Sequence, residues 1–370
     1  MEQIAIVGDI HMDVVNTKAP ITTAVTKGQR NFLFNMVGEL KRRNINKIVF
    51  LGDVFDKHSK VSIDALDFTL KFFRDTLKDF SVYVIAGNHD LLYENSSEVI
   101  STEFLSLLPN VHYYGHSVGV EKLLGKTWYF VPWVLPGEYD RVNNWLGKLA
   151  GASAQKHDST VIVGHFDMIG ALMEAGNISQ AGFEPKRFEA AAKWVFSGHY
   201  HCKSQIIGDN STITYTGTPY HLSFAHVGTD CGFYIMGEDE SLEFVENTIS
   251  PRFVDVVDTQ VDSAPDDLSN CVVRYHCDRN MNMDDATILR MKLNDRNPIH
   301  IVPVVYGDVP QSDTDSDISD EETKKIMSSS SLQMASMYLE KHPEVLPSLA
   351  DDEADPKEKV LAYLREYDAK

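Results

Sequence analysis

Val82-Tyr83-Val84-Ile85-Ala86-Gly87-Asn88-His89-Asp90 decides how this chain is read. Five apolar residues in a row have the length of a strand buried on both faces, and Gly87 ends the run. Three side chains able to bind protons or metal follow at once, and Asn-His-Asp after a buried strand has no core role. The same pattern recurs outward in both directions. Residues 4–7 run into Gly8-Asp9-Ile10-His11, and residues 47–51 run into Gly52-Asp53-Val54-Phe55-Asp56. Residues 160–163 run into Gly164-His165, and residues 194–197 into Gly198-His199-Tyr200-His201. Phe32, Leu33, Met36, Val37 and Leu40 repeat at helical spacing, as do Ile63, Leu66, Leu70, Phe73 and Leu77. The resulting β-α-β-α-β order predicts buried strands joined by crossover helices.

In open α/β sheets, ligands bind beyond the carboxyl ends of the strands. Five strand ends therefore bring carboxylates, imidazoles and one amide carbonyl to a single region. Oxygen and nitrogen donors without a thiolate suit Mn, Fe, Zn or a mixed pair, not a structural thiolate zinc site. Each motif alone is a common turn. The ordered set is specific, because so many costly polar groups would crowd one rim without a cation.

The set resembles the calcineurin-like metallophosphoesterases, whose pattern is D-x-H, G-D-x-x-D, G-N-H-[DE], G-H and G-H-x-H, over roughly residues 1–235. Within them it is similar to the SbcD-type DNA repair nucleases, nearest to the endonuclease subunit of phage recombination. The forms GDIH, GDVFD, GNHD and SGHYH carry that likeness, with Val131-Pro132-Trp133 and Tyr215-Thr216-Gly217-Thr218-Pro219. The resemblance implies a four-layer α/β/β/α sandwich, two mixed sheets face to face with helices outside. It implies that Asp9, His11, Asp53 and His201 hold one divalent ion. Asp53, Asn88, His165 and His199 would hold the other, with Asp53 bridging. His89 would sit by the scissile phosphate as a catalytic group, and Asp90 would orient it by accepting its second N–H. Mn is the expected ion, with Mg, Fe or Zn as alternatives. One departure matters: the arginine with which protein phosphatases grip a monoester is missing, since Asp56 is followed by Lys57-His58.

The implied activity is Mn-dependent cleavage of DNA at double-strand ends, both exonucleolytic and as a single-strand endonuclease. A phosphatase or cyclic-nucleotide phosphodiesterase on the same scaffold is the alternative, and a catalytically dead scaffold a third. The implied partners are DNA and an SMC-like coiled-coil ATPase, the chain forming a homodimer within a heterotetramer. Helix 62–79 or 97–108 would serve as the dimer contact.

The boundaries expected are 1–250 for the nuclease domain and 251–308 for a small α/β capping module that contacts DNA. An acidic linker at 309–325 and a helical tail at 326–370 that binds the ATPase would follow. Strands are expected at 271–276 and 300–306, with Asp284 capping a helix between them. The 370 residues carry 34 Lys plus Arg against 54 Asp plus Glu, a formal charge of −20. That excludes a protein that wraps nucleic acid by bulk charge alone. Four cysteines without a CxxC pair are read as small buried residues of a reducing compartment. With no secretory leader pattern and no membrane-length apolar run, the expected location is cytoplasmic, in the host if phage-encoded.

Overall fold

The computed structural model describes residues 2–14, 18–277 and 283–305. Its first strands are β1 (Gln3–Val7), β2 (Lys47–Phe50), β3 (Ser81–Ile85), β4 (Leu91–Tyr93), β5 (Ser96–Ile100) and β6 (Val111–Tyr114). Then come β7 (Gly119–Leu123), β8 (Lys126–Val131), β9 (Thr160–His165), β10 (Trp194–Gly198), β11 (Ser204–Ile207) and β12 (Thr212–Tyr215). The last are β13 (Gly232–Gly237), β14 (Leu242–Glu246), β15 (Arg252–Val257), β16 (Cys271–Cys277) and β17 (His300–Val305).

One sheet has the order β14-β13-β1-β2-β3-β6, the other β11-β12-β10-β9-β8-β7. In each, four neighbouring strands are parallel (β1, β2, β3, β6 and β12, β10, β9, β8) and the rest pair antiparallel. Side chains alternate across a strand, so an apolar run feeds two cores at once. Ile4, Ile6, Val49, Leu51, Tyr83 and Ile85 face the second sheet, meeting Trp128, Phe130, Val161, Val163 and Phe196. Their neighbours Ala5, Val7, Ile48, Phe50, Val82 and Val84 face outward. There α1 (Ala19–Arg42) covers them with Phe32, Leu33, Met36, Val37 and Leu40, and Ala65 of α2 (Ile63–Lys71) joins the same core. The outer face of the second sheet, through Ile162, Val195 and Ile213, packs on Val142 and Leu146 of α3 (Tyr139–Ala150). After the short α4 (Ala154–Asp158), α5 (Pro185–Glu189) adds Phe188 to that layer. Helix, sheet, sheet, helix is the four-layer sandwich expected.

Beyond it, β15, β16 and β17 form a parallel three-stranded sheet with α6 (Met283–Asn294). This small sheet has its own core of Val256, Val261, Leu268, Val273, Tyr275, Leu293 and Ile301. It is also joined to the main body, because Phe253 and Val272 belong to the core under α1.

Three local expectations change. The helix starting at Ile63 turns π-helical over Phe72–Thr76, which swings Phe72 and Phe73 both into the core. Segment 97–108 is not a helix: β5 occupies its start and a 3-10 turn, Glu103–Leu107, its end, with Leu105 buried. Helix α6 begins one residue before Asp284, so Asp284 is not its cap. Lys41 and Arg42 lie in the last turn of α1, where they complement the helix dipole. Cys202 and Cys231 are buried free thiols, and Cys271 is a half-buried one. Among the described residues no helix is long and apolar enough to cross a membrane. The expected linker 309–325 and tail 326–370 lie outside the described residues.

Candidate metal centre

The carboxyl ends of β1, β2 and β3 in one sheet and of β9 and β10 in the other meet at one place, each followed by its motif. Asp9 and His165 are fully buried, and Asp53 and His11 are 1% exposed. Two groups of donors form around Asp53. On one side His11 Nε2 lies 2.9 Å from His201 Nε2 and 3.8 Å from Asp53 Oδ2. Donor atoms of Asp9, His11 and His201 all lie within 4.8 Å of one another. On the other side His165 Nε2 lies 3.3 Å from Asp53 Oδ2 and 2.9 Å from Asn88 Oδ1, which is itself 3.0 Å from His199 Nδ1. The structure thus brings together all seven residues expected as ligands, and Asp9 reaches the second side too, with donor atoms of Asp9, Asp53 and His165 within 4.8 Å of one another.

Each carboxylate divides its labour. Asp53 Oδ1 accepts the His89 backbone N–H (2.8 Å), leaving Oδ2 toward both histidine groups. Asp9 Oδ2 accepts the His199 backbone N–H (2.9 Å), while Asp9 Oδ1 is buried without a partner. His165 Nδ1 lies 2.7 Å from the Leu51 carbonyl oxygen. A carbonyl can only accept, so Nδ1 carries a proton, and Nε2 is the nitrogen turned toward Asp53 and Asn88. The glycines make room for this floor. A Cβ on Gly87 would stand 2.2 Å from Asp53 Oδ1, and one on Gly198 would stand 2.3 Å from Asp9 Oδ1. Three donors take left-handed backbone, His11 at φ 39°, Asp53 at 48° and His199 at 87°. Such conformations in non-glycine residues gather at functional sites.

The electrostatics follow from crowding buried charge. Burial, with Asp53 adding and His165 opposing, lifts the Asp9 carboxyl to about 7. Burial would raise Asp53 too, but His165, then His11 and His89, hold it well below the usual carboxylate range. Burial disfavours a charge on His165, yet Asp53 and then Asp9 outweigh it and raise that imidazole to about 9. Burial and the His165 charge lower His199 to about 3, and burial with His201 keeps His11 neutral as well. Metal ligands bind in their deprotonated form, so a cation entering the cluster competes with its protons.

His89 is half-buried at the rim. Its Nδ1 lies 2.6 Å from the Asp56 carbonyl oxygen, and its ring stacks on His58 at 4.7 Å and meets His11 edge-on at 5.0 Å. Here the expected role of Asp90 is corrected. Asp90 does not touch the His89 ring; it is fully buried, with Oδ1 accepting the Val54 and Phe55 N–H groups and Oδ2 accepting the Gly87 N–H. It ties the loop after β2 to the loop after β3, and Asp56 supplies the orienting acceptor instead. Asp56 Oδ1 lies 3.7 Å from His11 Nδ1.

Tyr220 is core, 1% exposed with its hydroxyl donating to the Ile10 carbonyl, and cannot stack on a base. His221 is buried between the Thr229 carbonyl and the Phe253 N–H. The Trp133 ring lies 5.0 Å from that of His199. Sequence reasoning missed Glu174 and His226, which share a third donor group with His201. The apolar stretches before them, Ala171-Leu172-Met173 and Phe224-Ala225, are too short to read as strands, and nothing else in the sequence marks them.

Residues 3–203, more than half of the chain, match the family model described as calcineurin-like phosphoesterase. The chain belongs to the calcineurin-like phosphoesterases. A protein of Invertebrate iridescent virus 3 named as a phosphoesterase, 078R, is 23% identical over 278 residues, 73% of this chain and 70% of the viral one. A dimetal phosphatase from Danio rerio matches with a TM-score of 0.46 and 14% identity, over 67% of this chain and 98% of that one. An archaeal phosphodiesterase matches with a TM-score of 0.34 and 11% identity, over 66% and 99%.

As a calcineurin-like phosphoesterase the protein is a metal-dependent hydrolase of phosphate esters. The residues present fit divalent ions. Asp9 Oδ1 and His11 Nδ1 are buried orphans, and the donors are carboxylate, imidazole and amide oxygen. Those are the ligands of Mn, Fe or Zn in oxygen-rich sites.

Proposed function

We propose that this chain is a two-metal phosphodiesterase that cleaves DNA at double-strand ends, with exonuclease and single-strand endonuclease action and Mn as its ion. The observation that carries the reading is what flanks His89. Where an arginine clamp for a terminal phosphate would follow Asp56, the chain has Lys57-His58, and His58 stacks on His89. A rim of two imidazoles suits an internal phosphate that must release a sugar oxygen.

Asp9, His11, Asp53 and His201 would hold one ion, and Asp53, Asn88, His165 and His199 the other. When bound, the pair supplies charge against the phosphate oxygens and makes water acidic enough to attack. The remaining work belongs to the chain. The P–O bond to water forms, the P–O bond to the sugar breaks, and the departing oxygen needs a proton. With Nδ1 engaged by the Asp56 carbonyl, His89 has Nε2 to hold or deliver that proton. Asp53, hydrogen-bonded to the His89 N–H, keeps the imidazole and the donor cluster in one frame. Asp90 locks the two loops that carry them.

The chain with Mn should degrade labelled duplex and single-stranded DNA much faster than p-nitrophenyl phosphate. Turnover of the small ester without DNA cleavage would favour the phosphatase or cyclic-nucleotide reading. No turnover of either, with ions bound, would favour a dead scaffold.

The partner proposal is separate. Residues 326–370 would fasten the chain to a coiled-coil ATPase, and 309–325 would tether them. Removing 309–370 is expected to leave metal-dependent hydrolysis intact and abolish co-purification with that ATPase. Retained binding would refute it.

A further inference from the structure

Glu174 stands outside the donors assigned above, on a 3-10 turn, Glu174–Gly176, in the loop after β9. Its Oε1 lies 2.6 Å from His201 Nδ1. An ionised carboxylate only accepts, so Nδ1 carries the proton and the Nε2 lone pair is free. That Nε2 is the nitrogen 2.9 Å from His11 Nε2, inside the donor group. Behind the ring, His226 lies nearly parallel to it, centroids 5.4 Å apart at 13°. His226 is 1% exposed and both its ring nitrogens are without a hydrogen-bond partner.

We infer that Glu174 is a positioning residue: with His226 as the flat wall behind the ring, it fixes the tautomer and angle at which His201 offers Nε2 to an ion. The inference rests on the two-metal reading above. A carboxylate behind a metal-binding imidazole sets its orientation and raises its basicity, and losing it costs about 10–100-fold in metal affinity. The geometry also explains the division between the two nitrogens of His201. If the ring instead turned Nδ1 to an ion shared with Glu174 and His226, that nitrogen could no longer donate to the carboxylate.

The test is calorimetric titration of the full chain with Mn. The parent is expected to take up two ions. Glu174→Ala should weaken one of them about 10–100-fold and leave the other unchanged. Glu174→Gln, whose amide oxygen still accepts from Nδ1–H, should lose less. Glu174 is 42% exposed, so its truncation opens no cavity and the ion-free melting temperature should stay put. Parental affinity at both positions in Glu174→Ala overturns the inference. So does an equal loss at both positions with a lowered melting temperature, which means a merely structural role. A third ion in the parent that disappears in His226→Ala also overturns it, making the group an ion site of its own. A parent that binds no ion defeats the two-metal reading itself.

Discussion

Asp53→Asn is expected to abolish hydrolysis, by about 10³-fold or more, and to weaken ion binding at both positions together. The substitution is isosteric, so the fold and the Oδ1 contact to the His89 N–H survive. What disappears is a carboxylate whose Oδ2 faces both donor groups, 3.3 Å from His165 Nε2 and 3.8 Å from His11 Nε2. Lewis-acid stabilisation of phosphate charge amounts to several kcal/mol, and about 1.4 kcal/mol is a factor of ten in rate. The partial comparison is Asn88→Ala, which touches one group only and should weaken one ion. Titration with Mn decides the matter. Two ions bound with parental affinity in Asp53→Asn would show that Asp53 bridges nothing.

His89→Ala should separate binding from chemistry. Of the seven proposed ligands only His11 meets the His89 ring, edge-on at 5.0 Å, and the ring's other contacts are the Asp56 carbonyl and His58. Mn and DNA should therefore bind as before, while cleavage falls about 10²–10⁴-fold, the range for losing a proton-transfer group. Binding is read by titration and filter retention, cleavage by single-turnover kinetics. A variant that cuts DNA near the parental rate would move the proton to another group, and His58, stacked against His89, would be next to examine.

Much of the site is legible in sequence because its residues sit where apolar strands stop, and strand ends are visible as composition. Asp9, His11, Asp53, Asn88, His165, His199 and His201 are all of this kind. The sandwich is legible for the same reason: alternate members of runs such as Val82-Tyr83-Val84-Ile85 feed two different cores. What fails to show depends on how loops close. Asp90 looks like the partner of its neighbour His89, but the turn aims its carboxylate back at three backbone N–H groups. Asp56 contributes through its carbonyl oxygen, an atom every residue has. Glu174 and His226 reach His201 from loops whose path is set by packing. Segment 97–108 has helix-compatible apolar spacing, but pairing of β5 with β4 wins there.

The left-handed backbone at His11, Asp53 and His199 has an evolutionary and practical corollary. Each such conformation costs about 1–3 kcal/mol, and buried unpaired atoms at Asp9 and His11 add to the burden. Ligation of cations offsets this only where cations are plentiful. A laboratory campaign that screens variants for heat tolerance in chelator would enrich glycine and apolar replacements at these very positions. Its hardiest survivors would be inert, so selection on this scaffold has to be run with manganese present and turnover as the score.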